Sequence, residues 1–336
     1  MSNRGLLGDL IPAHYMGQES PNAKAVRPWR AIYLDLDGRW RLGISNFAQF
    51  FGGHILDRRT VLKGGLASAA LISGGAMPLM AAPKAVLWER WTAHDPNSTA
   101  IINHDVWRGI LSRYLVTGSD GLNRFAYGKV SSDDSQQLQG YLETLIALPI
   151  SSYNRPEQMA YWINLYNALT IKIILDYYYV ESIRDIDISP GLFSDGPWGK
   201  KLLSIERETL SLDDIEHQIL RPIWQDPRIH YAVNCASIGC PNLQPRPFTA
   251  AELDRDLDQA AIDYVNNPRG VAFIGEDLIV SSIYEWFKED FGGNDKGVIA
   301  HLKGFAAPPL AVKLEGRRSI DGDEYNWLLN DASSAS

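Results

Sequence analysis

The sequence predicts an α+β fold: a compact domain with a buried central helix and a small mixed or antiparallel sheet. Three observations predict it. Helix-period segments come first in the chain beyond residue 100, and short strand-like segments alternate with helices after them. No glycine-rich phosphate loop follows a strand, as a doubly wound nucleotide fold would require. The 336 residues are 45% hydrophobic, enough to bury a full core. The net charge of −8 argues against a nucleic-acid surface, which needs clustered Lys and Arg.

The N-terminal region reads as targeting sequence rather than fold. Asp57-Arg58-Arg59-Thr60-Val61-Leu62-Lys63 is a twin-arginine pattern, and residues 64–80 after it are weakly apolar and rich in Gly and Ala. Small residues at Ala81-Ala82 complete the layout of an export signal over residues 57–82. The Gly and Ser content of the apolar part and the lack of stop-transfer charges argue against a stable transmembrane anchor. Residues 1–56 form a leader of mixed polarity, which points to a start codon placed too early. Residues 83–336 are then the mature domain. The expected destination is the periplasm or beyond, with the twin-arginine (Tat) translocon as partner during export.

Within the mature region, residues 105–115 carry Val106, Ile110 and Leu111 on one side, the mark of an amphipathic helix. Ser131 or Ser132 caps a second helix over residues 133–148. Arg155-Pro156-Glu157-Gln158 opens the central helix, whose residues 159–175 are apolar nearly all round. That helix carries Asn164 and Asn167 on one face, with Trp162 and Tyr166 beside them. Buried carboxamides need partners, in a structural network or in a site, so these four are candidate binding residues. Residues 202–210 read as a strand pair. Ser211-Leu212-Asp213-Asp214 resembles a capping box and opens a helix bearing Glu216 and His217. Thr249-Ala250-Ala251-Glu252 reads as another, opening a helix to about Val265. Residues 270–282 predict a hairpin turning at Gly275-Glu276-Asp277, and residues 283–291 and 296–305 predict short helices.

Residues 229–241, IHYAVNCASIGCP, hold both cysteines, Cys235 and Cys240. The apolar run at their start predicts a buried strand. Alternation puts Ile229, Tyr231 and Val233 on one face and His230, Ala232 and Asn234 on the other. Gly239 and Pro241 signal the tight loop that follows. A polar face running into a loop with thiols is a common place for chemistry.

Together the motifs YWINLYNALTI (161–171), SLDDIEHQILR (211–221), DPRIHYAVNCASIGCPNL (226–243), LIVSSIYEWFKEDFG (278–292) and YNWLLND (325–331) resemble the family called "domain of unknown function 547". The resemblance runs in order over roughly residues 88–331. It implies export, common among bacterial members, and motif positions for Glu216, His217, His230, Asn234 and Cys235. In the plant-type pattern, serine often stands at the position of Cys240, which weakens a disulfide as the shared purpose of Cys235. Asn326 and Leu328 depart from the usual tail, Tyr-Asp-Trp-Ser-Leu-Asn.

Two chemistries remain open. In the first the protein is a cysteine-dependent hydrolase or acyl transferase. Cys235 is the nucleophile, His230 or His217 the base, Glu216 its neighbour, and Asn234 an orienting or oxyanion donor. In the second it is a non-catalytic binding module for a peptide, sugar or small molecule, with a Cys235–Cys240 disulfide closing a loop. A third option, a metal held by Glu216, His217, His230 and a cysteine, has no H-E-x-x-H or paired C-x-x-C spacing behind it, and no cofactor is predicted.

Overall fold

The computed structural model describes residues 30–34, 40–44, 83–191 and 195–334. Arg58 and Arg59, and with them the expected export signal, lie outside the described residues. Strands β1 (Arg30–Leu34) and β2 (Trp40–Ile44) pair as an antiparallel hairpin within the expected leader. The rest is α+β, as the sequence predicts, with helices gathered first and small sheets distributed around them.

The core is built on α3 (Arg155–Tyr177). Asn154 caps it by accepting from the Glu157 N–H at 3.0 Å, and Pro156 sits in its first turn. Nearly every side chain from Glu157 to Ile174 is buried, so α3 is covered on all sides. Helix α1 (Asp105–Tyr114) contributes Trp107, Ile110 and Leu111 to this cluster. Helix α2 (Ser132–Ile146), capped by Ser131, contributes Leu138, Leu142 and Leu145. Hairpins β3–β4 (Leu115–Thr117, Asn123–Phe125) and β5–β6 (Leu203–Ile205, Glu208–Leu210) sit at its edges.

A second cluster gathers α6 (Leu253–Val265), β7 (Val271–Ile274), β8 (Asp277–Ser281), α7 (Ile283–Trp286), α8 (Asp295–Phe305) and α9 (Pro308–Leu314). Strand β9 (Gly322–Glu324) adds in parallel to β8, giving one mixed three-stranded sheet. The hairpin turns at Gly275-Glu276 as expected, with Gly275 at a φ of 64° that its missing Cβ permits. Thr249–Glu252 forms a turn rather than a capping box, so α6 begins at Leu253. Glu252 spends its carboxylate on Arg255 instead.

The predicted strand at residue 229 is overturned. Ile229–Ala232 is a single helical turn, α5. Asp226-Pro227 causes it: the Asp226 carboxylate accepts from the Arg228 N–H at 2.9 Å, and its carbonyl accepts from the Ile229 N–H at 3.1 Å. Proline just inside such a start is preset for helix. Ile229 and Ala232 therefore face the first cluster while Tyr231 joins the second, and α5 pins the two together.

Candidate functional site

The segment Ser211–Trp224 carries two of the candidate residues, Glu216 and His217. The Ser211 hydroxyl accepts from the Asp214 N–H at 3.2 Å while the Asp214 carboxylate accepts from the Ser211 N–H at 2.6 Å, a reciprocal cap with Asp in the usual Glu position. Residues Asp214–Leu220 then wind as a π-helix before α4 (Arg221–Trp224). Wide turns of this kind recur at functional sites. Pro222 has no N–H to offer the His217 carbonyl; that acceptor is taken by the Val86 N–H at 2.9 Å, and the Gln218 carbonyl by the Trp88 N–H at 3.1 Å. A strap of residues 83–88 is thereby laid along the helix. Its Pro83 carbonyl accepts from Arg221 at 2.8 Å.

Under that strap lies an ionic centre. Arg221 Nε donates to Asp290 Oδ2 at 2.7 Å, and His230 Nε2 meets the same oxygen at 2.7 Å. A carboxylate only accepts, so His230 Nε2 donates. Arg221 Nη1 approaches His217 Nδ1 at 3.0 Å; a guanidinium only donates, so that nitrogen accepts and His217 is neutral there. Glu216 Oε1 stands 3.9 Å from Nδ1 of His217 and 3.9 Å from Nδ1 of His230. Phe287 stacks on the His230 ring at 4.2 Å and lies under Arg221. Burial, opposed by Glu216 and helped by the Arg221 charge, lowers His217 to about 4. Burial works to raise Asp290, but the hydrogen bonds from His230 and Arg221 win and hold it below the usual carboxylate range.

The thiols sit elsewhere on the same loop. Val233 is extended, and Ala236 takes a left-handed φ of 61° that turns the chain sharply after Cys235. The C-terminal segment fixes this loop: Ile238 N–H donates to Leu328 O at 2.8 Å, Gly239 N–H to Asn326 O at 2.8 Å, and Asn330 N–H to Ala236 O at 3.0 Å. A Cβ at Gly239 would stand 2.8 Å from Asn326 N, so only glycine lets the tail approach this closely. The tail brings Tyr325 to the sulfur. Cys235 Sγ lies 3.1 Å from the Tyr325 hydroxyl and 3.2 Å from Ser237 Oγ, and those two oxygens are 2.8 Å apart. The Cys235 N–H donates to Cys240 Sγ at 3.0 Å.

Both cysteines are free thiols; Cys235 is partly exposed and Cys240 buried. In this structure the two side chains are neighbours with no bond between the sulfurs. The adjacent Cys240 side chain lowers Cys235 to about 7 against the effect of burial, helped by Ser237 and Tyr325. Cys240 goes the other way, raised by burial and by the adjacent Cys235.

Neither histidine is among the hydrogen-bond partners of Cys235. The expected thiol–imidazole contact is replaced by hydroxyl and thiol donors, while His230 and His217 point to Asp290 and Arg221. Tyr166 relates the two regions. It is buried on α3 and lies near Glu216 on one side and both cysteines on the other. Asn164 exchanges hydrogen bonds with the backbone of Phe248 at 2.7 and 3.0 Å. Asn167 donates to Ala232 O at 2.9 Å and accepts from the Asn234 N–H at 2.8 Å. Asn234 ties the thiol loop together, donating to Pro241 O at 2.7 Å and accepting from the Ala236 N–H at 2.9 Å. These three carboxamides are clamps on backbone. Trp162 packs edge-on against Trp91 and Tyr161 in the first core cluster.

Asp290, Arg221, Ser237 and Tyr325 were not singled out from the sequence. Each stands inside a motif of the resemblance, and that was the one signal available. Among the described residues, no group of three or more His, Cys, Asp and Glu is arranged to hold a metal ion. Fold and site together define an α+β protein with a hydrogen-bonded thiol pair beside a buried ionic centre. Residues 150–265 match the model of the family described as "Protein of unknown function, DUF547". The match spans α3, the π-helix, α5 and both cysteines and supports the resemblance there; the motifs at 278–292 and 325–331 lie beyond it. No curated protein matches the chain, and no solved structure does.

Proposed function

We propose that the protein is an exported, cysteine-dependent acyl-transfer enzyme, a hydrolase or an acyl transferase, with Cys235 as its nucleophile. The observation that carries this reading is the set of donors around a partly exposed sulfur. The Cys240 thiol and the hydroxyls of Ser237 and Tyr325 all face Cys235 Sγ and hold its thiol near 7, so the nucleophilic thiolate is well populated at neutral pH. The thiolate attacks an acyl carbonyl carbon. A carbon–sulfur bond forms, the bond to the leaving group breaks, and that group takes a proton from water. Water or an acceptor then releases the acyl group from the thioester. Tyr325, Trp286 and Trp327 pack together at 4.7 to 5.5 Å beside the sulfur, a half-buried aromatic wall suited to an apolar or planar acyl group. His230, His217 and Glu216 then act as positioning residues that hold α5 and the π-helix in place. Export rests on Arg58-Arg59 and the apolar stretch after them; Arg58→Lys with Arg59→Lys should leave the protein in the cytoplasm in a fractionation experiment.

The test of the nucleophile is alkylation of the native, reduced protein across pH. Cys235 should label first with a midpoint near 7, Cys240 only on denaturation, and an acyl probe should leave a thioester on Cys235 detectable by intact mass. A labelling midpoint in the ordinary thiol range of about 8.5 would remove the nucleophile. The binding-module reading, with a peptide, sugar or small-molecule ligand, keeps one observation in its favour: the adjacency of Cys235 and Cys240.

A further inference from the structure

We propose that Cys240 is a resolving thiol, so that oxidation of Cys235 by a small hydroperoxide is captured as a reversible Cys235–Cys240 disulfide that switches the nucleophile off. The inference rests on the reading of Cys235 as an activated thiol and adds to it the regulation of that site. Its geometry comes from the loop. The left-handed turn at Ala236 folds residues 235–240 back on themselves until the Cys235 N–H donates to Cys240 Sγ at 3.0 Å. The two sulfurs differ in every respect that matters for ordered oxidation. Cys235 is partly exposed and ringed by donors, whereas Cys240 is buried at 4% exposure with the Val233 carbonyl 3.8 Å from its sulfur. Oxidation follows thiolate character and access, so it begins at Cys235. The hydroxyls of Ser237 and Tyr325, already at the sulfur, can donate to the oxygen that leaves the peroxide. Half-buried among these side chains, the sulfur admits a small oxidant more readily than another protein.

The atoms balance in two steps. The Cys235 thiolate attacks one peroxide oxygen; a sulfur–oxygen bond forms, the oxygen–oxygen bond breaks, and the leaving oxygen takes a proton to become water or an alcohol. Sulfur is oxidised and the peroxide reduced. The Cys240 sulfur then attacks the sulfenic sulfur, the sulfur–sulfur bond forms, and the hydroxyl leaves with the Cys240 proton as water. A dithiol reductant reverses the bridge. An exported protein would meet this chemistry directly, since thiols oxidise readily outside the cytosol.

The experiment uses the full-length, reduced protein treated with a slight molar excess of hydrogen peroxide. Thiols are then counted by mass-tagging under denaturing conditions, and the peptides are mapped. The expected result is joint loss of both thiols within one chain, a bridged peptide containing Cys235 and Cys240, and near-complete recovery of labelling after dithiothreitol. In Cys240→Ser the Cys235 sulfur should run on to the sulfinic acid, with recovery at least about tenfold lower. A wild-type protein that gains oxygen at Cys235 while Cys240 stays free would overturn the inference, as would bridges formed only between chains. The wild-type map decides this by itself if the variant does not fold. The pH profile of alkylation, run on the same preparation, separates the two claims. A midpoint near 7 without an intramolecular bridge removes the switch and leaves the nucleophile. A midpoint in the ordinary thiol range removes both, even if a bridge forms, because oxidation would not then begin at an activated Cys235.

Discussion

The thiol nest and the ionic centre meet at the segment from α5 to Cys240, yet they solve opposite electrostatic problems. At Cys235 a latent negative charge is stabilised by neutral donors: a thiol, a phenol and a serine hydroxyl. At Asp290 the Arg221 guanidinium neutralises the carboxylate, and His230 Nε2 donates to the same oxygen. The first region keeps its central atom available, whereas in the second Arg221 and His230 are both committed to Asp290. A cluster of His, Glu, Asp and Arg is therefore weaker evidence of catalysis than one sulfur whose donors have no other charge to serve.

Four measurements would break or sharpen that contrast. Acid should act most strongly, through three buried imidazoles of which one stands in the ionic centre. Burial lowers His217 in that centre, His104 beside Tyr141 and His301 beside Tyr231 from 6.5 to about 4, so the unfolded chain takes up their protons first. Their contribution to stability is whole above pH 6.5 and is lost as pH falls toward 4, on the order of several kcal/mol in total. Denaturant midpoints that stay level between pH 7 and 4 would mean these rings are not buried as neutral imidazoles. Next comes Asp290→Ala, which strands Arg221 and His230 and should cost about 3–5 kcal/mol in urea unfolding. A loss under about 1 kcal/mol would show that the centre does not depend on its carboxylate.

Asn164→Ala leaves the Phe248 N–H and C=O unpaired in the core and should cost about 2–4 kcal/mol; an unchanged melting temperature would deny Asn164 its clamping role. The smallest effect, and the most specific, is expected from Tyr325→Phe. Removing one donor worth about 1 kcal/mol should raise the Cys235 labelling midpoint by roughly 0.7 of a pH unit with little change in stability. No movement of the midpoint would place thiol activation on Ser237 and Cys240 alone.

Much of the frame was legible locally. The α3 helix, its Pro156 start, the Ser131 cap of α2, the Ser211–Asp214 cap and the Gly275 hairpin all follow from short-range propensities, which tertiary contacts here reinforce. The run at Ile229 was misread because its apolar side chains fit strand alternation as well as a helical turn. The Asp226-Pro227 start decided between them, and α5 then had two cores to serve.

By itself the sequence determined the α+β class, the buried central helix and the residues worth suspecting, because hydrophobic period and capping chemistry act over a few residues. It also placed both thiols in one tight loop, since Gly239 and Pro241 mark the turn. Which partner each suspect would meet was settled only in three dimensions. Asp290 reaches His230 across 60 residues and Tyr325 reaches Cys235 across 90, and the packing of the two clusters and the C-terminal tail brings them together. A thiol's acidity is set by whatever donors stand within hydrogen-bonding distance of the sulfur, and at such separations no local spacing encodes them.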